Sequence, residues 1–213
     1  MSKENYSSYS DIVKNYTEYQ KLQKDTFCSF ESENTKYRMG QQRCIKRLFS
    51  GTNRQKRILD IACGDGVGLR EFKKLGFKNV IGVEFNDKKL ILAGKIGYRV
   101  LNSDMHNLSS IGSHCVDIVY SSHTLEHAYY PDKVIRELYR VLVPAGRLYV
   151  ILPYPDTRKA SLKAHGARLE LGTNVSDNGV GVVNYFKKHG FSLLKKTFDS
   201  FREPEIWLAL KRK

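Results

Sequence analysis

Paired cysteines are the first thing this sequence lacks. Cys28, Cys44, Cys63 and Cys115 are scattered and form no Cys-x-x-Cys pair, so neither a disulfide frame nor a cysteine zinc site is expected. No stretch approaches the roughly 20 consecutive apolar residues of a membrane span. The opening MSKENYSSYSDIVKNY has no apolar run of the signal-peptide kind. A cytoplasmic setting without a membrane partner is therefore expected. Acidic residues are scarce, 22 against 36 Lys and Arg, leaving a formal charge of +14. The surplus is spread along the chain apart from Lys73-Lys74, Lys187-Lys188, Lys195-Lys196 and the terminal Lys211-Arg212-Lys213. A solvated basic surface fits that spread better than a dedicated polyanion site. Repeats and low-complexity tracts are absent as well.

What is present is an alternation of strand-like and helix-like segments. Residues 1–50 hold two amphipathic stretches, SDIVKNYTEYQKLQK and NTKYRMGQQRCIKRLF, around a polar break at 29–35. They read as a helical cap or lid on a core spanning 51–213. Strands are expected at 56–62, 78–85, 98–104, 116–122 and 147–153, with helices between them. Pro131 sits at a favoured first-turn position, and Pro144 to Gly146 breaks the chain before the fifth strand. Such alternation predicts an α/β, doubly wound, mostly parallel sheet. Near the end, SLLKKTFDSF and EIWLALKRK are joined by only Arg202-Glu203-Pro204. So short a link permits an antiparallel hairpin and no crossover.

The chemistry concentrates in ILDIACGDGVG, residues 58–68, where a strand opens into Gly64, Gly66 and Gly68. A phosphate-binding Walker loop would need a Gly-Lys-Ser/Thr ending, and none follows. The dinucleotide pattern fails too, because Leu69 and Glu71 stand where a third glycine is required. Asp60 and Asp65 flank the loop and would repel a pyrophosphate. A ligand carrying positive charge and no phosphate is indicated.

DIACGDG resembles motif I of the class I S-adenosylmethionine-dependent methyltransferases, D-x-G-x-G-x-G, with Ala62 in place of the first glycine. The stretch VDIVYSSHTLEHAYYPDKVIRELYRVLVPAGRLYVILP resembles the type 11 group, which includes the ubiquinone-biosynthesis O-methyltransferases; Val143 and Ala145 depart from its usual Lys and Gly. The resemblance implies a Rossmann-like seven-stranded sheet with an antiparallel C-terminal strand, and S-adenosyl-L-methionine as cofactor. Its binding residues would be Asp60, Ala62, Gly64 and Gly66 in the loop, with Glu84 and Phe85 at the ribose. Asp104 and Met105 would read the adenine, and Ser121 would lie at the end of strand four. His127 corresponds to a base in relatives that act on hydroxyls, and His165 falls in a common acceptor-pocket region.

HTLEH at 123–127 also matches the inverted zinc-peptidase pattern H-x-x-E-H. That chemistry needs both imidazoles on one continuous helix, whereas a strand ends just before and Pro131 starts a new element just after. No metal is expected. The acceptor reads as a small molecule, a sugar, phenol or other metabolite methylated on oxygen or nitrogen. Nucleic acid is the rival acceptor, and a non-catalytic cofactor-binding subunit is the rival of another class. The residues say nothing of oligomeric state.

Overall fold

The structure is a computed structural model that describes residues 13–157 and 165–213. Its centre is a seven-stranded sheet in the order β3-β2-β1-β4-β5-β7-β6. Strands β1 (Arg57–Ile61), β2 (Asn79–Glu84), β3 (Arg99–Asn102), β4 (Val116–Ser122) and β5 (Leu142–Pro153) run parallel. β6 (Phe191–Asp199) and β7 (Glu205–Arg212) form the expected hairpin, and β7 inserts antiparallel beside β5. Strand order reverses between β1 and β4, and open α/β sheets bind ligands outside the carboxyl ends at such a point.

Three helices start at an asparagine cap. Asn15, Asn34 and Asn86 accept the backbone N–H groups of Glu18, Tyr37 and Lys88 at the starts of α1 (Tyr16–Thr26), α2 (Thr35–Leu48) and α4 (Asp87–Gly94). α3 (Val67–Lys74) opens directly from Gly66, and Pro131 takes the first turn of α5 (Pro131–Val141). Among the described residues, two helices lie between β5 and β6, the four-residue α6 (Arg168–Leu171) and α7 (Val180–Lys188). α5 and α7 contribute Val134, Ile135, Leu138, Val182 and Phe186 to one face of the sheet, all fully buried. α2 and α3 contribute Cys44, Ile45, Leu69 and Phe72 to the other, with Phe49 packed edge-on against Phe72, Phe77, Tyr120 and Tyr149.

Four differences from the sequence reading have physical causes. β5 begins at Leu142, directly after α5, because Pro144 to Gly146 form a bulge and not a break: Val116 pairs with Leu142, but Ile118 pairs with Arg147. Ala145 sits in that bulge at φ +62°. β3 stops at Asn102, so Asp104 lies in the loop beyond it. α6 was not anticipated, being too short to show periodicity. The first amphipathic stretch is helical only from Tyr16, and its residues 10–12 lie outside the described chain.

Candidate functional site

A cavity of about 370 Å³ opens at the carboxyl ends of the parallel strands, within the usual size of a small-ligand site. Its floor is the glycine loop. Ala62 adopts φ +50°, Gly64 +58° and Gly66 +88°, left-handed turns that swing the chain from β1 into α3. A side chain at Gly66 would strike Ile96. Ala62 pays the usual penalty of a Cβ in this region, roughly 1–2 kcal/mol, where the resemblance expected glycine.

Glu84 closes β2 and turns its carboxylate onto this loop. It accepts backbone N–H groups from Gly64 at 2.9 Å, Phe85 at 2.9 Å and Asn86 at 2.8 Å. A carboxylate has about four acceptor sites, so one remains for a ligand hydroxyl. Burial pushes the Glu84 pKa up against the lowering effect of these bonds. Asp60 lies behind the loop, 4% exposed, with Oδ2 making no hydrogen bond among the described residues. Burial, aided by Glu84, raises its pKa to about 8.

The roof comes from the N-terminal segment, at positions no motif marks. Tyr19, Gln23, Lys24 and Phe27 of α1 and its C-cap line the cavity, followed by Ser29, Phe30 and Glu31. Glu31 pairs with the buried Lys89 and accepts the Asp65 N–H at 3.3 Å. Ser32 donates to Asp65 through its N–H at 3.0 Å and through its hydroxyl. Tyr16 and Gln20 donate to Asp104 at 2.6 and 2.9 Å. His106 holds the other Asp104 oxygen at 2.6 Å. Burial alone would raise the Asp104 pKa, but the His106 and Tyr16 bonds override it and hold the carboxyl well below its usual range.

Another wall of the cavity is built by the loop after β4. Here a 3-10 turn, Leu125–His127, carries Glu126 and His127. The His127 ring lies edge-on to Phe27 at 4.5 Å and to His165 at 4.7 Å. His165 bonds through Nδ1 to the buried Asp156 at 2.6 Å. His123 is held between Glu203 at 3.3 Å and Glu205 at 3.2 Å. Burial opposes ionisation of Glu205, yet His123 and Arg202 pull its pKa down to about 2.

The structure thus gathers Ala62, Gly64, Glu84, Phe85, Met105, His127 and His165 around one cavity. Asp60, Gly66, Asp104 and Ser121 are not on its wall. Asp60 lines a small adjoining pocket, Asp104 faces α1, and the Ser121 hydroxyl is buried without a hydrogen bond among the described residues.

Residues 59–150 match the Methyltransf_11 family, described as a methyltransferase domain. That stretch is somewhat under half of the chain, and over it the sequence is similar to a methyltransferase domain. Among curated relatives it is 29% identical over 102 residues to the ubiquinone biosynthesis O-methyltransferase of Nitrosococcus oceani, covering 44% of this chain and 42% of the relative. It is 30% identical over 145 residues to the ubiquinone/menaquinone biosynthesis C-methyltransferase of Pseudomonas putida, covering 60% and 55%. The chain therefore spans only about half the length of the curated relatives it matches. The N-methyltransferase NodS from Bradyrhizobium japonicum, solved with S-adenosyl-L-homocysteine, superposes with a TM-score of 0.65 at 12% identity, covering 84% of this chain and 88% of that one. The magnesium protoporphyrin IX methyltransferase of Synechocystis, solved with the methyl donor, gives 0.63 at 15%, covering 84% and 80%. At such identities these two establish a shared fold. At this site the residues that sequence reasoning missed are Glu31, Lys89, Phe27 and Asp156. Each reaches the site from a segment with no motif, so no local signal was there to find.

Proposed function

We propose that this protein binds S-adenosyl-L-methionine in the cavity and transfers its methyl group to oxygen or nitrogen of a small molecule. The single observation that carries this reading is the cavity itself. One open cavity joins the glycine loop, Glu84, Phe85 and Met105 to the histidine-bearing wall. Glu84 takes a ribose hydroxyl with its remaining acceptor site, and Phe85 and Met105 offer apolar surface to the adenine. Asp104 reaches the adenine only by exchanging a bond it now makes to α1. The described part of the roof, residues 16–34, serves as the lid of an N-terminal cap (residues 1–50) over the core (51–213).

Methyl transfer from a sulfonium is an in-line displacement whose leaving thioether needs no proton. Alignment and exclusion of water therefore supply much of the rate. An oxygen acceptor must also lose its proton, and a neutral imidazole suits that task near neutral pH. His127, on the cavity wall beside His165, is the group assigned to it.

Calorimetry with S-adenosyl-L-methionine and S-adenosyl-L-homocysteine tests the cofactor assignment. Saturable binding of both is expected, and none at ligand concentrations on the order of 1 mM refutes it. On the true acceptor, His127→Ala should keep cofactor affinity and lose roughly 100-fold in turnover. A tight, saturable complex with total tRNA at physiological salt would replace the small-molecule acceptor with nucleic acid.

A further inference from the structure

We propose that Glu126, His127 and His165 form a binding site for a divalent transition-metal ion, with zinc the cation their donor set suits. The ligating atoms of the three side chains lie within 4.8 Å of one another. Zinc holds nitrogen and carboxylate ligands at about 2.0–2.1 Å, which sets tetrahedral neighbours roughly 3.3 Å apart. Glu126 Oε1 and His127 Nε2 are already 3.8 Å apart, so a small side-chain rotation completes the set. Two imidazoles and one carboxylate with a fourth position open to the cavity is a known catalytic zinc arrangement.

The decisive observation is Glu126. It is 0% exposed, and among the described residues neither carboxylate oxygen makes a hydrogen bond; Oε1 has long ion pairs with His123 Nδ1 at 3.6 Å and His127 Nε2 at 3.8 Å. Leaving a buried carboxylate this poorly satisfied is costly unless it is paired or coordinates a metal. The neighbouring groups are arranged as a metal site requires. Metal-bound histidines generally give their second ring nitrogen to a carboxylate, and His165 makes that bond through Nδ1 to Asp156. The Ala167 N–H donates to the Glu126 carbonyl at 3.1 Å, tying together the two segments that carry the ligands. The set differs from the peptidase reading of HTLEH. His123 is taken up by Glu203 and Glu205, and the third ligand comes from beyond β5.

Metal binding stands independently of the cofactor assignment; its chemical role rests on it. Without an ion His127 keeps the role of base assigned above; with the ion in place it would be a ligand, and the cation would take over activation of the acceptor hydroxyl. An acceptor hydroxyl would take the open position, where the cation would lower its pKa and so ease loss of the O–H proton to water. The oxygen lone pair then forms the new C–O bond while the C–S pair departs onto the thioether sulfur.

The test uses untagged full-length protein, stripped with a chelator and desalted, then titrated with Zn²⁺ by calorimetry and with Co²⁺ by visible absorption. One equivalent should bind. Glu126→Gln and His165→Ala should each abolish that binding, and Asp156→Asn should weaken it roughly 10–100-fold. S-adenosyl-L-homocysteine binding, measured on the same preparations, should stay within about twofold of wild type in all three, which establishes that they fold. Zinc binding weaker than roughly 1 mM, or binding unchanged in every variant, overturns the site. Metal binding without homocysteine-analogue binding would remove the cofactor assignment and leave the metal site standing.

Discussion

Replacing Glu84 with glutamine separates two tasks that the carboxylate performs at once. The side chain accepts three backbone N–H groups, from Gly64, Phe85 and Asn86, at 2.8–2.9 Å. Truncation to alanine would strand all three, and at about 1–3 kcal/mol for each unsatisfied buried group the sum approaches the whole stability of a domain, ~5–15 kcal/mol. Glu84→Ala would therefore report on folding. Glutamine keeps the shape and one oxygen. That oxygen still serves Phe85 and Asn86, while its NH₂ meets the Gly64 N–H donor to donor. The expected loss of stability is one unsatisfied donor, about 1–3 kcal/mol, read as a lower urea midpoint at unchanged slope. Losing the charged acceptor for a ribose hydroxyl costs a further 1.5–3 kcal/mol or so in binding, roughly 10–100-fold in affinity for S-adenosyl-L-homocysteine. Calorimetry and urea unfolding on the same preparation read both. Homocysteine-analogue affinity within about twofold of wild type, alongside the expected loss of stability, would show that Glu84 serves the loop and not the ligand.

Two further expectations follow from buried side chains. Asp60 has a folded-state pKa of about 8, above its unfolded value. Its protonated form thus favours the fold, with a stabilising contribution that is complete below about pH 4 and lost as pH rises through about 8. Asp60→Asn should accordingly raise the melting temperature more at pH 8.5 than at about pH 5; an equal gain at both would refute the assignment. Gly40 lies on α2 where an added Cβ would sit 2.1 Å from Arg202 Cδ. Arg202 is fixed by Glu205 at 2.7 Å and Ser122 at 3.2 Å. Helix propensity favours alanine by about 1 kcal/mol, but the overlap costs about 1–3 and loosening the buried pair adds to it. Gly40→Ala should lower stability in urea unfolding, and a gain would show that Arg202 moves aside freely.

How far the sequence carried the fold depended on how local each signal was. Apolar runs such as ILDI and VDIVY are continuous because their strands are buried on both faces, and the short Arg202-Glu203-Pro204 link left only a hairpin. Glu84 and Phe85 were named because the topology sends the end of β2 to the carboxyl edge of the sheet, and both line the cavity there. Asp104 was named for the same reason, yet Tyr16 and Gln20 of α1 hold it, a contact across more than 80 residues that no local pattern encodes. Residues 1–50 appeared as helices with a break, but the break showed nothing of its purpose. Glu31 within it reaches Lys89 and the glycine loop only once α1 and α2 have packed. His165 stood in a stretch without periodicity, and its partner Asp156 became visible only with the chain folded.

The charge distribution of the folded chain explains why a phosphate-free cation fits where a nucleotide does not. A protein of net charge +14 attracts anions to its outer surface, yet the lining of the cavity brings Glu31, Glu84 and Glu203 together, with Asp60, protonated below about pH 8, behind the loop. Against them stand Lys24 and the buried Lys89, and Lys89 is already committed to Glu31. Asp65, fully buried beneath the roof, adds a further carboxyl beside the loop. Carboxylates 4 Å from an incoming charge act with several times the strength they would have in bulk water, because the effective dielectric is lower. A pyrophosphate placed against Gly64 would meet that field unfavourably, whereas a sulfonium and an ammonium would be drawn in. The basic surface and the acidic interior therefore serve different ends: the first sets solubility and long-range attraction, the second selects the ligand.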